Sequence, residues 1–272
     1  MDSLATLRLL IEWGADEALG DVPISRWHTT TSTTPAPSPL VALASTPGSA
    51  TPFAGVATIA NPAAVTSLAT VASLATVASL ATVASLATVA NLYDAWAAFD
   101  GCALRATATS IVRPSGRAGS SLLLLGDAPG ADDDRSGQAF SGATGIVLDR
   151  VLASIGLDRS RFLAAHLVPW RPPGNRPPSE AELRACLPYV HRLIQLSGAS
   201  HCILMGQAAA RMLLATDARL GRLRGRWQDM SVPDVGGSIS AMVMAPAEAW
   251  LRTPTSRRET WSDLLLLAST VD

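Results

Sequence analysis

The chain has 272 residues, 16% of them charged, a net charge of −1 and three cysteines. That length holds one or two domains. Three cysteines are too few for a disulfide framework and imply a reducing compartment, and the charge balance is unlike that of a strongly basic DNA-binding domain.

The N-terminus is acidic and amphipathic, without the basic and apolar regions of a secretory signal, so a cytoplasmic protein is expected. Within residues 1–27, Leu4, Leu7, Leu10 and Ile11 recur at helical spacing and predict a short amphipathic helix. Residues 28–91 are of low complexity. From His28 to about Pro62 the chain is Thr, Pro, Ser and Ala, which bury too little apolar surface to order a linker. SLATVA then repeats from Ser67 to Ala90. Six residues advance about 240° around a helix, so Leu and Val wander round the axis and form no stripe. A slippage product without a specific role is the plain reading. A membrane span competes with it, because no charge occurs from Thr29 to Tyr93. Against the span, Ser and Thr make up a third of the repeat and its flanks lack aromatic or basic anchors.

Residues 92–272 are expected to form the globular domain. Tyr93–Phe99 continues a helix. Leu122–Leu125 reads as a strand buried on both faces, as in a parallel sheet. Ser141 is placed to cap a helix over about 143–155, with Ile146, Val147, Val151, Leu152 and Ile155 on its apolar face. Phe162–Val168, His201–Met205 and Ala241–Met244 are further strands. Ser179 and Glu182 spell a capping box for a helix reaching about Leu196. Further helices are expected over Gln207–Leu214 and near Thr255–Ala268. Strands alternating with helices imply a parallel sheet covered on both faces.

Gly126 ends the first strand at the sheet edge where ligands bind in open α/β folds. Asp127 and the run Asp132–Asp134 follow at that edge, with Phe140 among small residues. Solvated turn aspartates are the plain alternative. Within 171–261 there are twelve arginines against seven acids, an excess that suits a phosphate-facing surface.

The string GDAPG, then Asp133, then GQAFSGATG, resembles the first motif of the uracil-DNA glycosylase superfamily, family 4 type, which runs roughly GEAPGxxExxxGxPFxGxAG. The resemblance continues in order at Trp170–Arg176 and Arg252–Leu264, and covers roughly residues 95–268. It implies a three-layer α/β/α sandwich with a short central parallel sheet, and hydrolysis of the N-glycosidic bond of a deaminated base during base-excision repair. It implies a DNA partner, no membrane and a monomer. Asp127 and Asp133 match the two acidic positions that position water and stabilise the cationic sugar. Both are one methylene shorter than the usual glutamate, a displacement of about 1.5 Å of the kind that can cost about 10²-fold. Phe140 matches the ring that stacks on the flipped base, with Gly126 and Ala128 beside it.

Two positions depart from the family. His166 stands where an asparagine reads the uracil edge; a neutral imidazole offers one donor and one acceptor in other directions. Ala245 stands where a histidine steadies the departing base, and a lost donor of that kind typically costs about 10²–10³ in rate. The four cluster-cysteine positions are Phe99, Cys102, Trp170 and Cys186. Two ligands of four cannot hold a [4Fe–4S] cluster, so no cofactor or metal is expected, and Cys102 and Cys186 become buried thiols. Arg171, Arg176, Arg252, Arg257 and Arg258 are the DNA-contact candidates. Two other readings stay open: a member that binds DNA or a flipped base without cleaving, and an enzyme for another base in which His166 supplies the donor that Ala245 lacks.

Overall fold

The computed structural model describes residues 83–233 and 238–270. The expected N-terminal helix and most of the low-complexity segment lie outside the described residues. Helix α1 (Val89–Ala98) is capped by Thr88, whose Oγ1 accepts from the Asn91 amide at 3.1 Å. The last SLATVA unit therefore supplies the cap and first turn of the domain's first described full helix. Val83 is buried, and Leu86 and Val89 pack on the same core. The Leu86 carbonyl accepts from Arg192 Nε at 2.9 Å, which ties this entry segment to the body.

A short 3-10 turn (Ala103–Ala106) leads to β1 (Ser115–Gly116) and β2 (Leu122–Gly126). Helices α2 (Ala131–Ser136) and α3 (Gly142–Ser154) follow, then β3 (Phe162–His166), α4 (Glu180–Ser197) and β4 (His201–Met205). The chain closes through α5 (Gln207–Leu213), α6 (Leu220–Leu223), β5 (Trp227–Ser231), β6 (Ser238–Met244), α7 (Ala247–Arg252) and α8 (Pro254–Ala268). The sheet order is β1-β3-β2-β4-β6-β5. The four central strands are parallel, as expected, but both edges are antiparallel, so the sheet is mixed. The edge strands escaped the sequence reading for a physical reason. β1 is two residues long, and β5 (WQDMS) buries only Met230, so neither carries the apolar run of a doubly covered strand.

Alternation along each central strand divides the core in two. Leu123, Leu125, Leu163, Ala165, Cys202, Leu204, Ala241 and Val243 face α1, α4 and α5. Leu122, Leu124, Phe162, Ala164, Ile203, Met205, Met242 and Met244 face α3, α7 and α8. Successive side chains of a strand point to opposite faces, and here both faces are covered, so every position is apolar. This is the α/β/α sandwich. The Ser179–Glu182 capping box forms as expected: the Ser179 amide donates to Glu182 Oε2 at 2.6 Å and the Glu182 amide to Ser179 Oγ at 3.3 Å.

Helix α3 needs one correction. It buries Gly145, Leu148, Val151 and Leu152, while Ile146 is 55% exposed. The buried stripe is rotated by about one residue from the expected one.

Candidate active site

The register of the sheet assembles the site. Gly126 pairs with His166 on one side and with Met205 on the other, and Met205 pairs with Met244. The C-terminal ends of β3, β2, β4 and β6 therefore lie in line, with Ala245 one residue beyond. Asp133 reaches this line from α2. The run ADDDRS, expected to be a loop, is a short helix in which Asp133 occupies the third position and accepts from the Gly130 amide at 3.1 Å. Asp134 accepts from the Thr109 amide and hydroxyl, both at 2.9 Å, and pulls in the segment before β1. Both carboxylates are buried, so they are structural acceptors and not solvated turn residues.

Asp133 also accepts from the Ser141 amide (2.7 Å) and hydroxyl (2.9 Å), and His166 Nε2 lies 3.1 Å from its Oδ2. Ser141 occupies the N-cap position of α3 but makes no side-chain cap there, because its hydroxyl is engaged by Asp133. Burial pushes the Asp133 carboxyl up, but the hydrogen bond and charge of His166 and the two amides outweigh it. The net result is a carboxyl held down at about 2. An ionised Asp133 only accepts, so His166 Nε2 carries the proton and donates to it. His166 Nδ1 is buried with no hydrogen-bond partner among the described residues.

The imidazole lies on the Phe140 ring, with centroids 4.6 Å apart and planes 28° from parallel. Gly126 makes this approach feasible. A Cβ there would stand 2.6 Å from His166 Nδ1 and 2.9 Å from Phe140 Cζ, closer than real contacts allow. Phe140 itself has φ +52°, the left-handed region that a bulky residue rarely adopts. Arg159 holds it there. Its guanidinium donates to the Phe140 carbonyl at 2.8 Å, to Ser115 Oγ and to Asp149 Oδ1 at 2.6 Å. Arg159 was missed by the sequence reading, because its partners come from three separated segments and leave no local pattern.

Asp127 goes elsewhere. It follows Leu125 in the alternation, so its side chain turns to the face opposite His166 and Phe140. Its carboxylate accepts from the Ala208 amide (3.2 Å) and the Ala209 amide (2.7 Å) at the start of α5. Burial raises its carboxyl above the usual range, and those amides only partly offset it. It lines a cleft of about 520 Å³ with Pro177, Pro178, Gln207 and Arg211, among others. Ala128 packs toward the same face. The expectation that both aspartates face the Phe140 cavity is therefore corrected: Asp133 does, and Asp127 is drawn away by the α5 amides. Ala245 is buried in the same apolar cluster as Phe140, Met205, Met244 and Trp250.

The arginines divide similarly. Arg176 forms a two-pronged pair with Glu182 (2.6 and 2.9 Å) and so buttresses the capping box. Arg171 Nε donates to Asn175 Oδ1 at 2.7 Å within the Pro-rich loop. Arg252 and Arg258 are exposed, and Arg257 is half-buried.

Cys102 and Cys186 are buried free thiols in one core with Phe99 and Trp170. Each thiol shifts the other: the neighbouring sulfur lowers the Cys102 thiol, and the same neighbour together with burial raises that of Cys186. Trp96 stacks on Tyr189 with centroids 5.0 Å apart, and Phe99 meets Tyr189 at 5.2 Å, which fills the surroundings with rings. Among the described residues no group of three or more His, Cys, Asp or Glu could hold a metal ion. These residues do not fit a four-cysteine cluster.

A mixed sheet sandwiched by helices, with a buried Asp–His pair and an aromatic ring stacked on it at the C-terminal strand ends, defines an α/β/α domain with a polar site at its sheet edge. The family model described as the Uracil DNA glycosylase superfamily matches residues 114–265, and the chain belongs to that superfamily. It is similar to a type-4 uracil-DNA glycosylase of Pyrobaculum aerophilum, with 30% identity over 171 residues, covering 61% of this chain and 86% of that protein. A type-4 uracil-DNA glycosylase of Archaeoglobus fulgidus is 30% identical over 166 residues, 60% of this chain and 82% of that protein. One of Sulfurisphaera tokodaii is 31% identical over 115 residues, 42% and 52% respectively. No helix among the described residues is long and apolar enough to cross a membrane.

Proposed function

We propose that this chain acts in base-excision repair, hydrolysing the N-glycosidic bond of a deaminated base in DNA. The observation that carries this reading is the Asp133–His166–Phe140 constellation at the ends of β2 and β3. A flipped base needs an aromatic platform and a hydrogen-bonding edge, and the sugar that becomes cationic needs an anion nearby. Phe140, His166 and Asp133 supply these in turn. Asp133, held ionised at neutral pH, provides the negative charge without a change of protonation state. Asp127 acts at a distance, by fixing the amides of α5.

Ala245 cannot donate a hydrogen bond to the departing base, and His166 Nε2 already donates to Asp133, so the chemistry is slower than with an imidazole at 245. The reading includes a monomer, a cytoplasmic setting and no iron–sulfur cluster, the last supported by the rings of Trp96, Phe99 and Tyr189 packed in the core with Cys102 and Cys186.

A second reading has its own support. Asp133, Phe140, His166 and Ala245 are each no more than 5% exposed, and the imidazole covers one face of Phe140. A base gains that face only when the imidazole leaves it. A protein in which this exchange is unproductive binds DNA without cutting it. Incubation with a uracil-containing oligonucleotide, scored for abasic sites, separates the two: abasic sites carry the enzymatic reading, and selective affinity for uracil-containing DNA without cleavage carries the other. Cleavage of hypoxanthine or xanthine alone points to another base, and a His166→Ala variant at full rate removes His166 from the chemistry.

A further inference from the structure

Five arginines fall in the sixteen residues from Arg211 to Arg226, against one acid, Asp217. Two are committed to ion pairs: Arg211 with Asp217 at 2.9 Å, and Arg224 with Asp263 at 2.7 Å and with Glu259. Arg219, Arg222 and Arg226 are exposed and have no ion-pair partner among the described residues. The other acid near them in sequence is Asp229, exposed on β5, where Ser238 Oγ lies 3.5 Å away.

The segment that carries these three side chains is rigidly seated at the C-terminal sheet edge. Gln207, two residues after β4 ends, clips it from both sides: its Oε1 accepts from the Leu220 amide at 2.8 Å and its Nε2 donates to the Ala218 carbonyl at 2.9 Å. Arg224 bridges to Val243, two residues before Ala245, and Trp227 lies opposite Met242. The Arg224 pairs with Glu259 and Asp263 fasten the same segment to α8, whose N-terminal half holds Arg257 and Arg258. A preformed backbone presents these guanidinium groups, so less ordering opposes their use.

We infer that Arg219, Arg222 and Arg226 form a phosphate-binding ridge for duplex DNA, on the β4–β6 side of the edge from the base site. The inference rests on the reading that this chain engages DNA, and it names the residues that would carry the non-specific part of that engagement. Guanidinium groups suit phosphate oxygens because they present paired donors and stay charged. The distance is suitable as well. From β3, which ends in His166, to β6 is three strand spacings of about 4.8 Å, or about 14 Å. That is about four base steps at 3.4 Å each along one strand. A duplex lying along the edge with its lesion at His166 brings phosphates over the ridge.

The test uses the full chain and a duplex of about twenty base pairs, with or without one uracil. Affinity is measured by fluorescence anisotropy across a salt series. Three phosphate contacts contribute about 2.7 to the slope of log K against log salt, at about 0.9 each. The triple variant Arg219→Ala/Arg222→Ala/Arg226→Ala is expected to flatten the slope by that amount and to weaken binding about 10²-fold near 0.1 M salt. The triple lysine variant is expected to retain the slope, and Arg211→Ala, which breaks an existing pair, to leave it unchanged. Wild-type binding with an unaltered slope in the alanine variant overturns the ridge and leaves the glycosylase reading standing. No binding of either duplex by the wild type removes the DNA reading and the ridge with it.

Discussion

His166 Nε2 lies 3.1 Å from Asp133 Oδ2 while the same ring rests 4.6 Å from Phe140. One imidazole thereby joins the end of β3 to the short helix α2 and to the strained residue before α3. Asp133 makes this joint pH-dependent. Its folded value of about 2 lies below the reference of 3.8, so the folded state favours the ionised form. At 1.36 kcal/mol per pH unit the difference is about 2 kcal/mol. That contribution is complete above pH about 4 and is lost as pH falls toward about 2. Urea unfolding between pH 6 and pH 2 checks it: the wild type loses about 2 kcal/mol more than Asp133→Asn across that window. Glu182, held down at about 2 chiefly by the Arg176 hydrogen bond, titrates in both proteins and cancels in the comparison. Parallel curves contradict the assignment.

Arg159 is the second joint. A non-glycine residue at φ +52° costs about 1–3 kcal/mol and persists only where its surroundings enforce the conformation, and the Arg159 bond to the Phe140 carbonyl does so. Arg159→Ala leaves that carbonyl, Ser115 Oγ and Asp149 without their guanidinium. A stability loss of about 2–3 kcal/mol is expected, since hydrogen bonds to charged groups are worth about 1.5–3 kcal/mol each. Arg159→Lys keeps the charge but not the fork and is expected to fall between. Equilibrium denaturation measures the loss. An unchanged midpoint in Arg159→Ala shows that α3 packing alone holds Phe140.

The buried strands were legible because a doubly covered strand must be apolar at every position, as Leu122–Leu125 is. The capping box at Ser179 and Glu182 was legible because its partners are three residues apart. Local spacing could not show what holds Asp127, since its carboxylate is taken by the amides of Ala208 and Ala209, eighty residues later. Nor could it show that ADDDRS forms a helix, whose burial depends on Thr109, Ser110, Ser141 and His166. Arg176 read as a DNA contact because it lies in the Pro-rich loop beside the motif loops; its pairing with Glu182 was not read from the sequence.

The ring-filled space beside the two thiols gives a third expectation. Anaerobic reconstitution with iron and sulfide is expected to leave the chain without bound cluster iron and without iron–sulfur absorbance. A site with two thiols, flanked by Phe99 and the buried Trp170, offers half the ligands a cubane needs. Stoichiometric cluster iron after desalting contradicts this. The Phe99→Cys/Trp170→Cys variant tests the same geometry in reverse, since it restores four thiols but empties the volume of two large rings. Removing a buried aromatic typically costs about 3–5 kcal/mol, so that variant is expected to be recoverable only when the cluster forms.

Ala245→His isolates the largest chemical deficit. Ala245 follows β6 directly and shares an apolar cluster with Phe140, Met205 and Trp250, so an imidazole placed there begins within the base site. A restored donor aimed at the leaving base is worth about 10²–10³ in rate, and abasic-site release is expected to rise by that order. The same substitution inserts a ring where a methyl is 96% covered, and overpacking of a filled core costs about 1–3 kcal/mol. Rate and stability are therefore expected to move in opposite directions, read from single-turnover cleavage and from the denaturation midpoint. A variant that unfolds more readily but cleaves no faster shows that the missing donor is not what limits this site. The imidazole already lying on Phe140 then becomes the obstacle, and the double variant Ala245→His/His166→Asn is the measurement that distinguishes a blocked platform from a missing donor.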